Sequence, residues 1–145
     1  MHDLPRQLTA DELAELFEGR TRFVEKLAEH RNPLASAQAV IAELTQDEKL
    51  EALNAHPAIG AKTLSARSAD EQGGDDDPTT LADLERLNAE YEQRFGFRFV
   101  VFVNRRPKSE IVPILRKRLE RTRDEELDTA VQELVAIAED RWRHS

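Results

Sequence analysis

Phe97-Arg98-Phe99-Val100-Val101-Phe102-Val103 is the run on which the fold turns. Its aromatic and β-branched residues favour an extended backbone. No other stretch of the chain has this character, so the run has no strand to pair with. It reads as a buried extended connector in a helical protein. An extended segment without a sheet leaves amides and carbonyls that must find other partners. A flat, amide-rich ligand such as a ureide or imidazolone could supply them, although core is the ordinary place for such residues. Arg98, Arg105 and Arg106 beside it read as solvated side chains, any of which could clamp a carboxylate.

The chain on either side of this run has helical periodicity. Upstream, Leu81, Leu84, Leu87, Asn88 and Tyr91 fall on one face of a helix that runs from Thr80 and ends before Gly96. Gly73-Gly74-Asp75-Asp76-Asp77-Pro78 precedes it as a polar loop. Further back, Thr9-Ala10-Asp11-Glu12 and Thr45-Gln46-Asp47-Glu48 are capping boxes, and Ser68-Ala69-Asp70-Glu71 has the same form. Leu13, Leu16, Phe17, Phe23, Val24 and Leu27 follow the first box at helical spacing, with Gly19 positioned to divide them. Ala35 to Leu44 reads as a helix after Asn32-Pro33. The next, with Leu50 and Leu53 inward, is stopped by His56-Pro57, because proline disfavours helix in the residue before it. Gly60 to Arg67 reads as a short helix. Downstream, Ser109 to Arg121 turns Ile111, Leu115 and Leu119 inward, with Pro113 near its first turn. Asp124 to Trp142 carries Leu127, Val131, Leu134, Ile137 or Ala138, and Trp142 on one stripe. The expectation is an all-α single domain, residues 1–145, of six to eight helices with one buried extended segment.

The chain has 145 residues, the size of one ordinary domain. It has no cysteine, which excludes disulfides, thiolate metal sites and a cysteine nucleophile. Its 21 Lys and Arg against 29 Asp and Glu give a net charge of -8, a surface that repels nucleic acid and anionic lipid. The densest basic run, Arg116-Lys117-Arg118 with Arg121 and Arg123, is interleaved with Glu120, Asp124, Glu125 and Glu126 and holds no aromatic residue for base stacking. It reads as a solvated helix face carrying mixed-sign pairs. No apolar run approaches a membrane span, and no secretory leader is visible at the N-terminus, so the expected setting is the cytoplasm.

Stock catalytic motifs are absent: no phosphate-binding loop, no G-x-G-x-x-G, no G-x-S-x-G, no H-E-x-x-H. The histidines are His2, His30, His56 and His144, none within chelating distance of another along a helix. His56 has the most informative surroundings. At a helix end before proline, its imidazole could face a cleft and move protons near neutral pH, or it could simply cap the helix against the dipole. Glu71 has two readings as well. It is the acidic member of a capping box, or with Gln72 it points from a helix N-terminus toward a ligand.

In order along the chain, His56-Pro57-Ala58-Ile59-Gly60, then Ser68-Ala69-Asp70-Glu71-Gln72, then Leu87-Asn88-Ala89-Glu90-Tyr91-Glu92-Gln93-Arg94-Phe95-Gly96-Phe97 resemble the 2-oxo-4-hydroxy-4-carboxy-5-ureidoimidazoline (OHCU) decarboxylase family. The likeness continues through Ile111 to Leu119 and the last helix with Glu133 and Arg141, and spans nearly the whole chain. Each fragment is weak alone, but the ordered combination is specific. The resemblance implies an all-α enzyme of urate degradation that needs no cofactor and no metal, converts the ureidoimidazoline into (S)-allantoin and carbon dioxide, and works as a homodimer. It also implies roles. His56 matches the catalytic histidine and Glu71 the essential carboxylate. Pro57, Ser68, Gln72, the backbone of Phe99, Val100, Val101, Phe102 and Val103, and Arg141 match substrate-binding positions. The chain departs from the family pattern at Arg98, where proline is usual, and at Asn104-Arg105-Arg106-Pro107, in place of a G-R-S-like turn. The Gly73 to Pro78 stretch, directly after Glu71-Gln72, is an insertion. Two alternatives stay open: a lyase acting on a related ureide, and a non-catalytic helical binding protein on the same scaffold.

Overall fold

A computed structural model describes residues 8–56 and 77–144, and its fold is all-α. Seven helices lie among the described residues: α1 (Ala10–Phe17), α2 (Arg22–Ala28), α3 (Ala37–Glu43), α4 (Gln46–Ala55), α5 (Pro78–Phe95), α6 (Lys108–Arg118) and α7 (Arg123–Arg143). The expected helix at Gly60 to Arg67, the Ser68 box, and Pro57, Glu71 and Gln72 lie outside the described residues. Contacts divide the chain into two compact units, one of residues 1–56 with 131–145 and the other of residues 57–130.

In the first unit both threonine boxes form as the sequence predicts. Thr9 Oγ1 accepts from the Glu12 amide at 3.1 Å while Glu12 accepts from the Thr9 amide at 3.0 Å. Thr45 and Glu48 repeat the exchange at the start of α4. Each such cap contributes about 1 kcal/mol by satisfying amides that a helix start leaves without partners. Gly19 does divide the first apolar run. α1 ends at Phe17, Glu18 turns left-handed at φ 64°, and Thr21 caps α2. α2 packs against α1, α3 and α4. Its N-terminus is capped a second time from the side, where the Arg22 amide donates to Glu51 of α4 at 2.7 Å. Leu13, Phe17, Phe23, Val24, Leu27 and Leu53 form the apolar interior, joined by Val131, Leu134 and Ala138 of α7. Leu50, expected inward, is half-buried.

In the second unit α5 begins at Pro78, not Thr80. Asp77 caps it, accepting from the Thr80 amide at 3.2 Å, and the fixed φ of proline suits the first helical position, so the end of the presumed loop belongs to the helix. Gly96 closes α5 in the left-handed conformation at φ 81°. Pro113 lies in the second turn of α6 and is exposed; it forgoes one helical hydrogen bond without ending the helix. α7 opens one residue earlier than expected, on a box the sequence reading passed over: Thr122 and Glu125 exchange bonds at 3.0 and 3.2 Å. No helix among the described residues is long and apolar enough to cross a membrane.

Candidate active site

The extended segment is buried, as its composition predicts. Phe97, Phe99, Val100, Val101 and Val103 are buried, Arg98 and Phe102 are half-buried, and no strand forms. The aromatic side chains cluster on Tyr91 of α5, with ring centroids 4.6 Å from Phe95, 5.8 Å from Phe97 and 5.2 Å from Phe99. The main chain answers the hydrogen-bonding question through arginines. Arg118 Nη1 donates to the Val100 carbonyl at 2.7 Å. Arg106 donates from Nη2 to the Phe102 carbonyl at 2.7 Å and from Nε to the Val103 carbonyl at 2.9 Å. The amides of Val101 and Val103 find no acceptor among the described residues. Among the described residues, the segment therefore has carbonyls engaged by side chains and the Val101 and Val103 amides without acceptors.

Arg106 folds back because the chain reverses beneath it. Asn104 and Arg105 both take positive φ, 50° and 60°, and the Arg106 amide donates to the Val103 carbonyl at 3.1 Å, the pattern of a type I′ turn. Arg98 leans toward Glu92 on α5, 3.6 Å from its carboxylate. Of the three arginines first read as solvated, Arg106 is thus committed to main chain, Arg98 lies by an acid, and Arg105 is exposed.

The basic run 116–123 corrects the sequence reading. Arg116 and Lys117 are exposed, but Arg118 is only 6% exposed and Glu126 is fully buried. Arg118 Nε meets Glu126 Oε1 at 2.7 Å, and Arg121 meets Oε2 at 2.8 Å. The Tyr91 hydroxyl donates to Glu126 Oε1 at 2.5 Å. Two charges taken from water at this depth persist because each is paired and hydrogen-bonded. Burial, and then the carboxylate beside it, push the Tyr91 phenol well above its ordinary range. Sequence periodicity missed the pair because alternating charges on a helix look the same whether they face water or a partner. The clue available was the spacing of eight residues across the α6–α7 turn.

His56 ends α4 as its C-cap, with φ -82° and ψ 136° and its amide donating to the Leu53 carbonyl at 3.2 Å. Its side chain is buried, at 7% exposure. The last turn of α4 is held closely from one side: a Cβ on Gly19 would stand 3.0 Å from that of Ala55. Arg141, also buried, sends Nη1 to the Leu16 carbonyl at 2.9 Å and to Glu18 at 3.1 Å, tying α7 to the end of α1. Its partners there belong to the protein's own chain. Pro57, Ser68, Glu71 and Gln72 fall outside the described residues.

The described residues define the class as an all-α protein, with a buried histidine at a helix end in one unit and main chain held by arginines in the other. The chain belongs to the OHCU decarboxylase family, whose sequence model matches residues 2–143. It is 27% identical to a 2-oxo-4-hydroxy-4-carboxy-5-ureidoimidazoline decarboxylase of Haloferax volcanii over 141 residues, covering 89% of this chain and 83% of that protein. It is 29% identical to the uric acid degradation bifunctional protein PucL of Bacillus subtilis over 150 residues, covering 95% of this chain and 30% of that longer protein. A crystal structure of an OHCU decarboxylase in the presence of (S)-allantoin has the same fold, with a TM-score of 0.75 at 23% identity, covering 88% of this chain and 92% of that one.

Proposed function

We propose that this protein decarboxylates OHCU to (S)-allantoin in urate degradation. The observation that carries this reading is the family match across residues 2–143, which runs through His56, the Ser68-to-Gln72 stretch and the extended segment. In the reaction the bond from the ring carbon to the carboxylate breaks and carbon dioxide leaves. The electron pair passes into the substrate's own ring, which serves as the sink, so the proposed reaction uses no cofactor. A proton then returns to one ring face, which sets the handedness of the product.

His56 takes the acid–base role. An imidazole ordinarily titrates near neutrality, and a positioned proton-transfer group contributes on the order of 10²–10⁴ in rate. Glu71 holds the hydroxyl and ureido donors, with Pro57, Ser68 and Gln72 in contact with the substrate. The segment Phe99 to Val103 supports the reading because the Val101 and Val103 amides are donors without acceptors among the described residues, suited to carbonyl or carboxylate oxygens. Arg141 has the weaker claim of the proposed contacts, since Leu16 and Glu18 already engage it. The working protein is a single domain, a homodimer and cytoplasmic in this reading.

The test is direct. OHCU generated freshly from urate by uricase and hydroxyisourate hydrolase is followed by circular dichroism. The wild-type protein should speed the appearance of the (S)-allantoin signal, and His56→Asn, folded by far-ultraviolet dichroism, should not. A His56→Asn variant with wild-type rates would remove His56 from the mechanism, and an inert wild-type protein would remove the activity.

A further inference from the structure

The Arg118–Glu126 pair lies beside the extended segment and has a shape that salt-bridge stabilisation alone does not require. One guanidinium makes three kinds of contact. Nε is fixed by Glu126 at 2.7 Å, Nη1 reaches the Val100 carbonyl at 2.7 Å, and the plane lies over the Phe99 ring at 4.6 Å. Nη2 has no hydrogen-bond partner among the described residues. Glu126 is in turn fixed by the Tyr91 hydroxyl and by Arg121, which also reaches Thr129 at 2.9 Å. Hence the orientation of Arg118 is over-determined from α5 and α7, and its remaining arm grips the main chain at the start of Val100 to Val103. A lysine could not do this, since an ammonium group lacks the planar fork that faces a carboxylate and a carbonyl at once.

We propose that Arg118 is a positioning residue: held by Glu126 and Tyr91, it anchors the Val100 carbonyl and so fixes the Val101 and Val103 amides for the substrate. The inference rests on the assignment of that segment to substrate binding. Arg106 holds the far end by two carbonyls, so the segment is clamped at both ends by side chains instead of by a neighbouring strand. Such a clamp keeps a donor array rigid at no reorganisation cost when an anionic or carbonyl oxygen arrives.

Arg118→Met, Arg118→Lys and, as a control on the exposed face of the same helix, Arg116→Met test it. Each is assayed well below its own melting temperature, where dichroism shows it folded. In Arg118→Met, KM should rise roughly tenfold or more with a smaller change in kcat, the signature of lost binding contacts. The ¹⁵N order parameters of the Val101 and Val103 amides should fall from about 0.85 toward 0.6. Arg118→Lys should recover only part of the KM, and Arg116→Met should match wild type. If Arg118→Met melts earlier but keeps wild-type KM and rigid amides, the residue is structural only and the proposal fails. If the wild-type protein is inert toward OHCU while the amides still loosen in Arg118→Met, the decarboxylase reading fails and the anchoring stands.

Discussion

Gly19 and Ala55 approach so closely that a side chain on the first would press on the second: a Cβ added at Gly19 would stand 3.0 Å from that of Ala55. Ala55 closes α4 immediately before His56, so the glycine sets how near the α1–α2 link can lie to the helix end that carries the imidazole. The added Cβ and that of Ala55 would both be fixed by backbone, and neither could rotate away. Gly19→Ala should therefore shift the last turn of α4, lowering stability by about 1–3 kcal/mol as overpacked sites do. It should also reduce turnover by more than a glycine-to-alanine change in an exposed turn away from α4. Thermal melts and kcat of the purified variant check both.

Glu126→Gln should be among the most damaging substitutions in the second unit. It leaves the Arg118 guanidinium buried beside a neutral amide, and breaking a buried pair from one side costs about 3–5 kcal/mol. Tyr91→Phe removes only one hydrogen bond to the same carboxylate and should cost less, about 1–2 kcal/mol. Urea denaturation of the two variants gives the order. Equal costs would show that the ion pair is not what Glu126 supplies.

Glu48 gives the first unit an acid sensitivity. Its carboxyl is held at about 2, against an ordinary 4.5, first by the Thr45 amide and then by Lys26 of α2, whose Nζ lies 2.9 Å away. A lowered folded value means that this contribution is complete above the unfolded range, near pH 5, and is lost as pH falls toward 2. Glu51, lowered chiefly by the Arg22 amide, adds to the same trend. Glu48→Gln should be less stable than wild type at pH 7, and the gap should close on acidification. Melting temperatures between pH 7 and pH 2.5 measure it.

Arg105→Gly should stabilise the turn after the segment by about 1 kcal/mol, because a left-handed conformation costs a side-chain-bearing residue about 1–2 kcal/mol and glycine nearly nothing. The result is Asn104 followed by glycine, the pair that such turns favour. A lower melting temperature instead would mean that the arginine side chain outweighs the strain.

Glu71→Gln separates a cap from a catalyst. Losing a helix cap costs about 1 kcal/mol and would appear in the melt alone. Loss of a substrate-binding carboxylate should lower kcat/KM by about a hundredfold or more at a temperature where the variant is folded. The dichroism assay distinguishes them.

Much of this architecture was legible in the chain itself. The Thr9 and Thr45 boxes predicted helix starts because threonine and glutamate three residues apart satisfy each other's amides locally, without help from the rest of the fold. Gly19 as a divider and Gly96 as a terminator were legible for the same reason: one residue's backbone freedom decides. The segment Phe97 to Val103 was read correctly as extended and buried, since β-branched and aromatic residues without a pairing partner leave few other conformations. What escaped was long-range and polar. That Arg118 is buried and Arg116 exposed depends on which side of α6 meets α5 and Glu126, and a run of alternating charges carries no mark of it. The start of α5 escaped for a smaller reason, as Asp77-Pro78 was read as the end of a loop when it is a cap followed by the first helical position. His56 was legible as a helix stop, while its burial depends on long-range packing that local sequence does not mark.

The chain has one tyrosine and one tryptophan, and they fall in different units: Tyr91 in residues 57–130, Trp142 in the portion with residues 131–145. The Tyr91 phenol, shielded and hydrogen-bonded to Glu126, resists ionisation until its surroundings open. Tyrosinate absorbance under alkaline titration is therefore an optical alarm for the second unit alone, and indole emission from Trp142 is the corresponding signal for the first. The protein carries a built-in pair of spectroscopic reporters with which the cooperativity of the two halves can be followed, and neither requires a label.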